Sequence, residues 1–181
     1  MAAGWFILPD KIIFLDRDGV INKKAPEHDY IKKWEEFKFL PNVDTAIKLF
    51  NEAGFKVILI TNQRGIARGI MSMDDLHIIH KKMCKELALK KAKIDDIFVC
   101  PHDIGQCTCR KPQIGLFLQA EQKYQVDKEK SYMIGDSKTD IKAGKKYGVK
   151  TIALNTDSFG ADLKFNNLFE AGEFITGACI K

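Results

Sequence analysis

Five stretches of this chain are apolar almost throughout and end in side chains fit for chemistry: KIIFLD (11–16), FKVILITN (55–62), DIFVC (96–100), SYMIGD (131–136) and VKTIALN (149–155). Continuous apolar runs, as opposed to alternating ones, mark strands buried on both faces, the habit of parallel sheets covered by helices. Helical patterns fill the intervals. Val43, Ala46, Ile47 and Phe50 share one face of a helix that Pro41 opens and Gly54 follows. Ser72 and Asp75 form a capping box ahead of inward-facing Leu76, Ile79, Met83 and Leu87. Leu116, Ala120 and Tyr124 mark a third helix, and Asp140–Tyr147 a fourth that Gly148 stops. Strands alternating with helices predict an α/β fold, a three-layer doubly wound sheet that is mainly parallel. A length of 181 residues suits a single domain over 1–181. Its readable part is 11–155, and the segment 157–181 is expected to add a short strand or helix at the sheet edge.

Composition narrows the function. No apolar run approaches the ~18–20 residues of a membrane span. The opening MAAGWFILPDK lacks the basic region and long apolar core of a secretion signal, so a cytoplasmic protein is expected. No long apolar helix stripe demands a partner chain, which makes a monomer the default. The net charge of +5 suits an anionic ligand. The lysines are scattered as short pairs such as Lys23-Lys24 and Lys145-Lys146, the pattern of solvated helix faces and not of a nucleic-acid stripe. Of five cysteines, three cluster beside a histidine, which argues for a metal instead of disulfides, while Cys84 and Cys179 stand apart as ordinary thiols.

Open α/β sheets bind ligands at the carboxyl ends of their strands. Here those ends read LDRDG, ITNQ, IGDS and the Cys/His cluster that runs into Arg110 and Lys111. Asp16 and Asp18 share a face of an extended chain, with Arg17 expected to point away, and Gly19 permits a sharp turn. Two such carboxylates repel unless a cation or proton lies between them. They are either a solvated strand end or a Mg2+ site that bridges to a phosphate, and Asp136 and Asp140 at another strand end favour the metal. Thr61 and Asn62 can donate to phosphate oxygens, or simply shape a turn. The basic, glycine-bearing QRGIARG that follows places Gln63 and Arg64 on the phosphate side. Lys111 is a point charge suited to phosphate by its position after the cysteine loop. Cys100, His102, Cys107 and Cys109 give C-x-H-x4-C-x-C, a closed tetrahedral Zn2+ shell of the structural type, with buried thiols as the plainer alternative.

Taken together, FLDRDGVIN, ITNQRGIARG, CRKP and MIGDSKTDIKAG resemble the four ordered motifs of the haloacid dehalogenase superfamily of phosphohydrolases. The CPH…CTCRKP loop resembles the zinc-bearing branch of heptose bisphosphate and histidinol-phosphate phosphatases, and the likeness runs from about Lys11 to Asn155. The resemblance implies a haloacid dehalogenase-like fold and a Mg2+-dependent phosphomonoester hydrolase. Asp16 would be the nucleophile that forms an aspartyl-phosphate, and Asp18 the general acid and base. Mg2+ would be held by the Asp16 side chain, the Asp18 main-chain carbonyl and Asp136, with Asp140 supporting that shell or capping its helix. Thr61, Asn62 and Lys111 would stabilise the transferring group, and Gln63, Arg64 and Arg110 would meet the substrate. Zn2+ would tie down the loop that aims Arg110 and Lys111. The intervals Asp16–Thr61 and Thr61–Lys111 leave no room for a large cap domain. The expected substrate is a small phosphorylated molecule, D-glycero-D-manno-heptose 1,7-bisphosphate losing its 7-phosphate. Histidinol phosphate, a DNA 3′-phosphate and a non-catalytic zinc-stabilised binding module are the alternatives.

Overall fold

The computed structural model describes residues 8–27, 29–155 and 157–178; residues 1–7 and Cys179 lie outside them. The chain runs β1 (Ile12–Leu15), α1 (Val43–Glu52), β2 (Lys56–Asn62), α2 (Arg64–Ala67), α3 (Met73–Leu89) and β3 (Asp96–Cys100). It continues through α4 (Gly115–Glu121), β4 (Tyr132–Gly135), α5 (Lys138–Tyr147), β5 (Lys150–Leu154), β6 (Leu163–Phe165) and α6 (Leu168–Thr176). The six strands form one sheet in the order β3-β2-β1-β4-β5-β6. Every pairing between them is parallel.

The all-buried β1 shows why the apolar runs are continuous. Ile13 and Leu15 enter a core with Ala46 and Ile47 of α1, Ile79 and Met83 of α3, and Ala171 of α6. Ile12 and Phe14 face the other way, into a core with Phe117 of α4 and Ala143 and Tyr147 of α5. There Phe14 meets Phe117 edge-on at 4.9 Å, and Phe117 stacks on Tyr147 at 4.4 Å. The two cores make three layers, and both faces of β1 are dry.

Local signals set most of the boundaries. Ser72 caps α3 through a reciprocal box with Asp75. Ser137 and Asp140 form a second box, so α5 begins at Lys138, ahead of the Asp140 of the sequence reading. Pro41 does not open α1: the helix starts at Val43, after Asn42 in the left-handed region at φ 57°, a conformation asparagine tolerates better than most residues. α4 ends at Glu121, short of Tyr124. Tyr124 still packs against the α4–α5 core and donates its hydroxyl to Asp96 at 3.4 Å. The C-terminal segment holds both a strand and a helix: β6 extends the sheet beside β5, and α6 packs back on α1.

The strand order reverses direction between β1 and β4, the place where open α/β sheets leave a crevice at their carboxyl ends. Loop 16–42, the α2 turn and loop 101–114 surround this rim. Among the described residues no separate cap domain covers it, and no helix is long and apolar enough to cross a membrane.

Candidate active site

At the crevice, Asp16 follows β1 and its backbone N–H is held by Ile134 of β4 at 3.1 Å. Lys111 reaches it from the end of loop 101–114. The Lys111 ammonium lies 3.0 Å from Asp16 and 2.6 Å from Asp140, with its side chain 1% exposed. Asn62, the last residue of β2, fixes the lysine's main chain: its Nδ2 donates to the Lys111 carbonyl at 3.1 Å, and its Oδ1 accepts from the Lys111 N–H at 3.0 Å. Burial pushes the Asp16 carboxyl up to about 7; Lys111 pulls it down, and the Asp140 and Asp18 charges push it up again. The rise thus comes first from loss of water, with the neighbouring carboxylates adding to it.

Asp18 lies in a different environment. Burial raises its carboxyl, but the Arg17 charge and hydrogen bonds from Arg17, Asn22 and Gln63 outweigh it and hold it below the ordinary carboxylate value. Arg17 Nη2 donates to both Asp18 oxygens at 2.8 and 2.9 Å, Asn22 donates at 2.9 Å, and Gln63 donates at 2.9 Å. The expectation that Arg17 points away is corrected here. Residues 17–22 form a tight turn, with the Ile21 N–H bonded to the Arg17 carbonyl at 2.8 Å. Strand alternation ends at Leu15, so it no longer governs the direction of Arg17. The guanidinium is buried, and its other arm meets His80 Nε2 of α3 at 3.3 Å. Burial and the Arg17 charge pull His80 down to about 3, so this nitrogen is the acceptor of a neutral ring.

Asp136, just past β4, completes the acidic rim. One oxygen of Asp16, Asp136 and Asp140 each lies within 4.8 Å of the others. Asp136 Oδ2 is 2.7 Å from the Lys24 ammonium, while its Oδ1 is buried with no hydrogen-bond partner. Gly19, at φ 87°, passes directly over it, and any Cβ there would overlap the Asp136 carboxylate. A hard divalent cation with oxygen ligands fits this donor set: carboxylates only, an orphaned Asp136 oxygen, and an Asp16 carboxyl that burial pushes up and neighbouring acidic charges push further. The Asp18 carboxylate is outside the cluster.

The second candidate metal centre joins Cys100, at the end of β3, to His102, Cys107 and Cys109 of loop 101–114. Cys100 Sγ lies 3.7 Å from His102 Nδ1 and 3.5 Å from Cys107 Sγ; Cys109 Sγ lies 3.4 Å from His102 Nδ1 and 3.2 Å from Cys107 Sγ. A tetrahedral zinc site with Zn–S bonds of ~2.3 Å has edges of about 3.8 Å, so the four atoms fit that ion with a small expansion. The loop lies against the start of α4, where a Cβ on Gly115 would come 2.6 Å from the Thr108 carbonyl. Its far side is latched to α2: the Arg64 guanidinium bonds Asp103, and the Ala67 N–H bonds the Pro101 carbonyl at 3.1 Å.

The predicted residues thus converge on one rim, but several are engaged by protein. Thr61 is buried and accepts from Gln63 at 3.0 Å; Asn62 serves the Lys111 main chain; Arg64 is paired with Asp103. Arg110 lines a cleft of about 330 Å³ with Asn62, Ile104, Lys111, Gln113 and Thr139. A second cleft of about 220 Å³ opens beside Asp18, Lys24, Asp29 and Tyr30. Asp140 both caps α5 and pairs with Lys111. Sequence reasoning missed Asn22, Lys24, His80 and Asp103. His80 could have been found: it shares the inward face of α3 with Leu76, Ile79, Met83 and Leu87. Lys24 carried no local signal beyond its place in a lysine pair.

Comparison with known proteins agrees with this fold. A hydrolase-like family model, described as HAD-hydrolase-like, matches residues 108–170. The D-glycero-beta-D-manno-heptose-1,7-bisphosphate 7-phosphatase of Rhodopseudomonas palustris is 40% identical over 75% of this chain and 78% of its own. The D-glycero-alpha-D-manno-heptose-1,7-bisphosphate 7-phosphatase of Photorhabdus laumondii is 36% identical over 91% of this chain and 96% of its own. The structure of D,D-heptose 1,7-bisphosphate phosphatase from B. bronchiseptica, complexed with magnesium and phosphate, superposes with a TM-score of 0.85 at 32% identity, covering 92% of this chain and 98% of that one. The six-stranded fold, the carboxylates at its switch point and these relatives place the chain in the haloacid dehalogenase-like hydrolases, in the branch of the heptose-1,7-bisphosphate phosphatases.

Proposed function

We propose that this chain is a Mg2+-dependent phosphatase that removes the 7-phosphate of D-glycero-D-manno-heptose 1,7-bisphosphate through an aspartyl-phosphate on Asp16. The observation that carries the reading is the convergence of Asp16, Asp136 and Asp140 with a buried Lys111 at the β1/β4 switch point. The substrate comes from the relatives, whose names specify it.

The Asp16 side chain, the Asp18 main-chain carbonyl and Asp136 would hold the Mg2+. When bound, the ion offsets the charge of carboxylate and phosphate so that they can approach. Asp16 Oδ attacks phosphorus, the bond from phosphorus to the sugar oxygen breaks, and Asp18 gives that oxygen its proton. Water then attacks the aspartyl-phosphate, Asp18 takes the water's proton, and Asp16 leaves as a carboxylate with inorganic phosphate released. Asp18 is held ionised by Arg17 in the resting site. A phosphate dianion brought beside it raises its affinity for a proton, which loads the acid only when substrate is present.

Lys111 neutralises the transferring group, Thr61 donates its hydroxyl to it, and Asn62 acts by fixing the lysine. Gln63 bridges Thr61 and Asp18, which aligns the acid with the phosphate. Arg110, in its cleft, faces the distal end of a bisphosphate. A Zn2+ ion on Cys100, His102, Cys107 and Cys109, with the Arg64–Asp103 pair, would keep the loop carrying Arg110 and Lys111 in place.

The test is phosphate release with Mg2+ from heptose 1,7-bisphosphate, histidinol phosphate and a 3′-phosphorylated oligonucleotide in parallel, for the natural chain and Asp16→Asn. Preference for the heptose, lost in Asp16→Asn, is expected. Preference for another of the three would overturn the substrate but not the chemistry. No turnover of any by metal-replete folded protein would favour a non-catalytic binding module.

A further inference from the structure

Two lysines reach the acidic rim, and they are held very differently. The Lys111 side chain is 1% exposed and binds Asp16 and Asp140 together, so it has nowhere else to go. The Lys24 side chain is 53% exposed and, among the described residues, pairs with Asp136 alone, at 2.7 Å, a carboxylate that is itself 11% exposed. Its ammonium also feels the charges of Asp16 and Asp140. It comes in from loop 16–42 over Gly19, where a Cβ would lie 2.7 Å from Lys24 Cε. The bare glycine thus leaves a passage for the lysine stem. Lys24 takes one Asp136 oxygen and leaves the other, Oδ1, buried without a hydrogen-bond partner.

We propose that Lys24 is a displaceable placeholder cation: through Oδ2 it holds Asp136 in position in the metal-free protein, and it yields that carboxylate when a divalent ion draws on it. The proposal rests on the reading of Asp136 as a metal ligand. A single ammonium can satisfy one carboxylate oxygen from the solvent side, whereas a divalent ion would draw on the oxygens of more than one carboxylate. Release costs little because the lysine is already half in water, where an ion pair is weak. Lys24 therefore lowers the affinity of the site for Mg2+ in two ways, by holding the Asp136 carboxylate through Oδ2 in its own geometry and by adding a like charge. Once released, its ammonium stays beside the cleft lined by Asp29 and Tyr30, and metal loading frees a cation at the rim where an anionic substrate enters.

The test is calorimetric titration of Mg2+, without substrate and at low ionic strength, into the natural chain, Lys24→Ala and Lys23→Ala. Lys23→Ala changes the net charge equally but leaves the Lys24–Asp136 pair in place. Lys24→Ala should bind Mg2+ about two- to fivefold more tightly than the natural chain, with Lys23→Ala unchanged. Equal affinity of Lys24→Ala and the natural chain, or equal tightening in both variants, would overturn the placeholder while leaving the metal site intact. Absence of Mg2+ binding by the natural chain would overturn the metal reading itself, and the placeholder with it.

Discussion

Replacing Asp16 by asparagine should abolish turnover and, at neutral pH, make the metal-free protein more stable. Burial holds the Asp16 carboxyl at about 7 against an ordinary 3.8. In the unfolded chain its proton leaves near 3.8; in the fold it stays until about 7. Between those values the folded state binds more protons, so stability is greatest at the acid end and falls as pH rises toward 7. The whole gap sets a ceiling of about 4 kcal/mol above pH 7. The Asp16 side chain is 15% exposed and Lys111 lies 3.0 Å away. Water entering the rim shares in solvating the charge, so we expect about 2 kcal/mol, or ~4–8 °C in melting temperature for a chain of this size. Paired thermal melts in EDTA would read it. Near pH ~4.5 the Asp16 carboxyl is protonated in the fold and as neutral as the amide that replaces it, and the gap should close to about 1 kcal/mol or less. Added Mg2+ should narrow or reverse the order at neutral pH, because the ion stabilises only the form that binds it. An Asp16→Asn protein no more stable than the natural one at neutral pH in EDTA, or a difference that ignores pH, would refute the claim that burial strains this carboxylate.

Gly19→Ala combines a left-handed backbone at φ 87° with a Cβ that overlaps Asp136. It should cost about 1–3 kcal/mol and remove calorimetric Mg2+ binding in protein that is still folded by circular dichroism. Arg17→Met takes away the two bonds that hold Asp18 ionised. Asp18 is held below its unfolded value, so its contribution is present above that value and lost as pH falls. The variant should lose about 2–4 kcal/mol at neutral pH, shrinking in acid, and the alkaline limb of kcat/KM, set by the proton Asp18 must carry, should move to higher pH. Stripping metal from the thiol cluster, or Cys109→Ser, should loosen loop 101–114. Limited proteolysis would then cut within the loop and KM would rise; an uncut loop with unchanged KM would remove the case for a structural metal.

Much of this protein is legible in the order of its residues. The continuous apolar runs of β1, β2 and β4 require strands covered on both faces, because a strand with one wet face would alternate. Ser72 with Asp75 writes the start of α3 locally, and its bonds form as the sequence implies. The cysteine and histidine spacing, with only nine positions between the outer two, lets the chain bring four candidate ligand atoms within 4.8 Å of one another. Placing Asp16, Asp18, Asp136 and Lys111 on one rim needed only the rule that such sheets work at their carboxyl ends.

What the sequence left open depends on long-range contact. Strand order, and therefore the crevice between β1 and β4, comes from how the crossovers pack. The segment after Asn155 has no strong period, and it becomes a strand and helix because the β5 edge and the α1 face are there to receive it. Arg17 turns inward because a buried His80, 63 positions away, and the Asp18 carboxylate offer its guanidinium partners. Asn62 and Arg64, read as ligands for substrate, find partners in Lys111 and Asp103 on loop 101–114. Lys24, one of a pair of lysines with nothing to distinguish them in sequence, reaches Asp136 only because loop 16–42 folds over Gly19. Patterns of burial and capping are written in neighbouring residues. The partner of a charged side chain is chosen by whatever the fold brings within about 3 Å of it, and that only the tertiary structure decides.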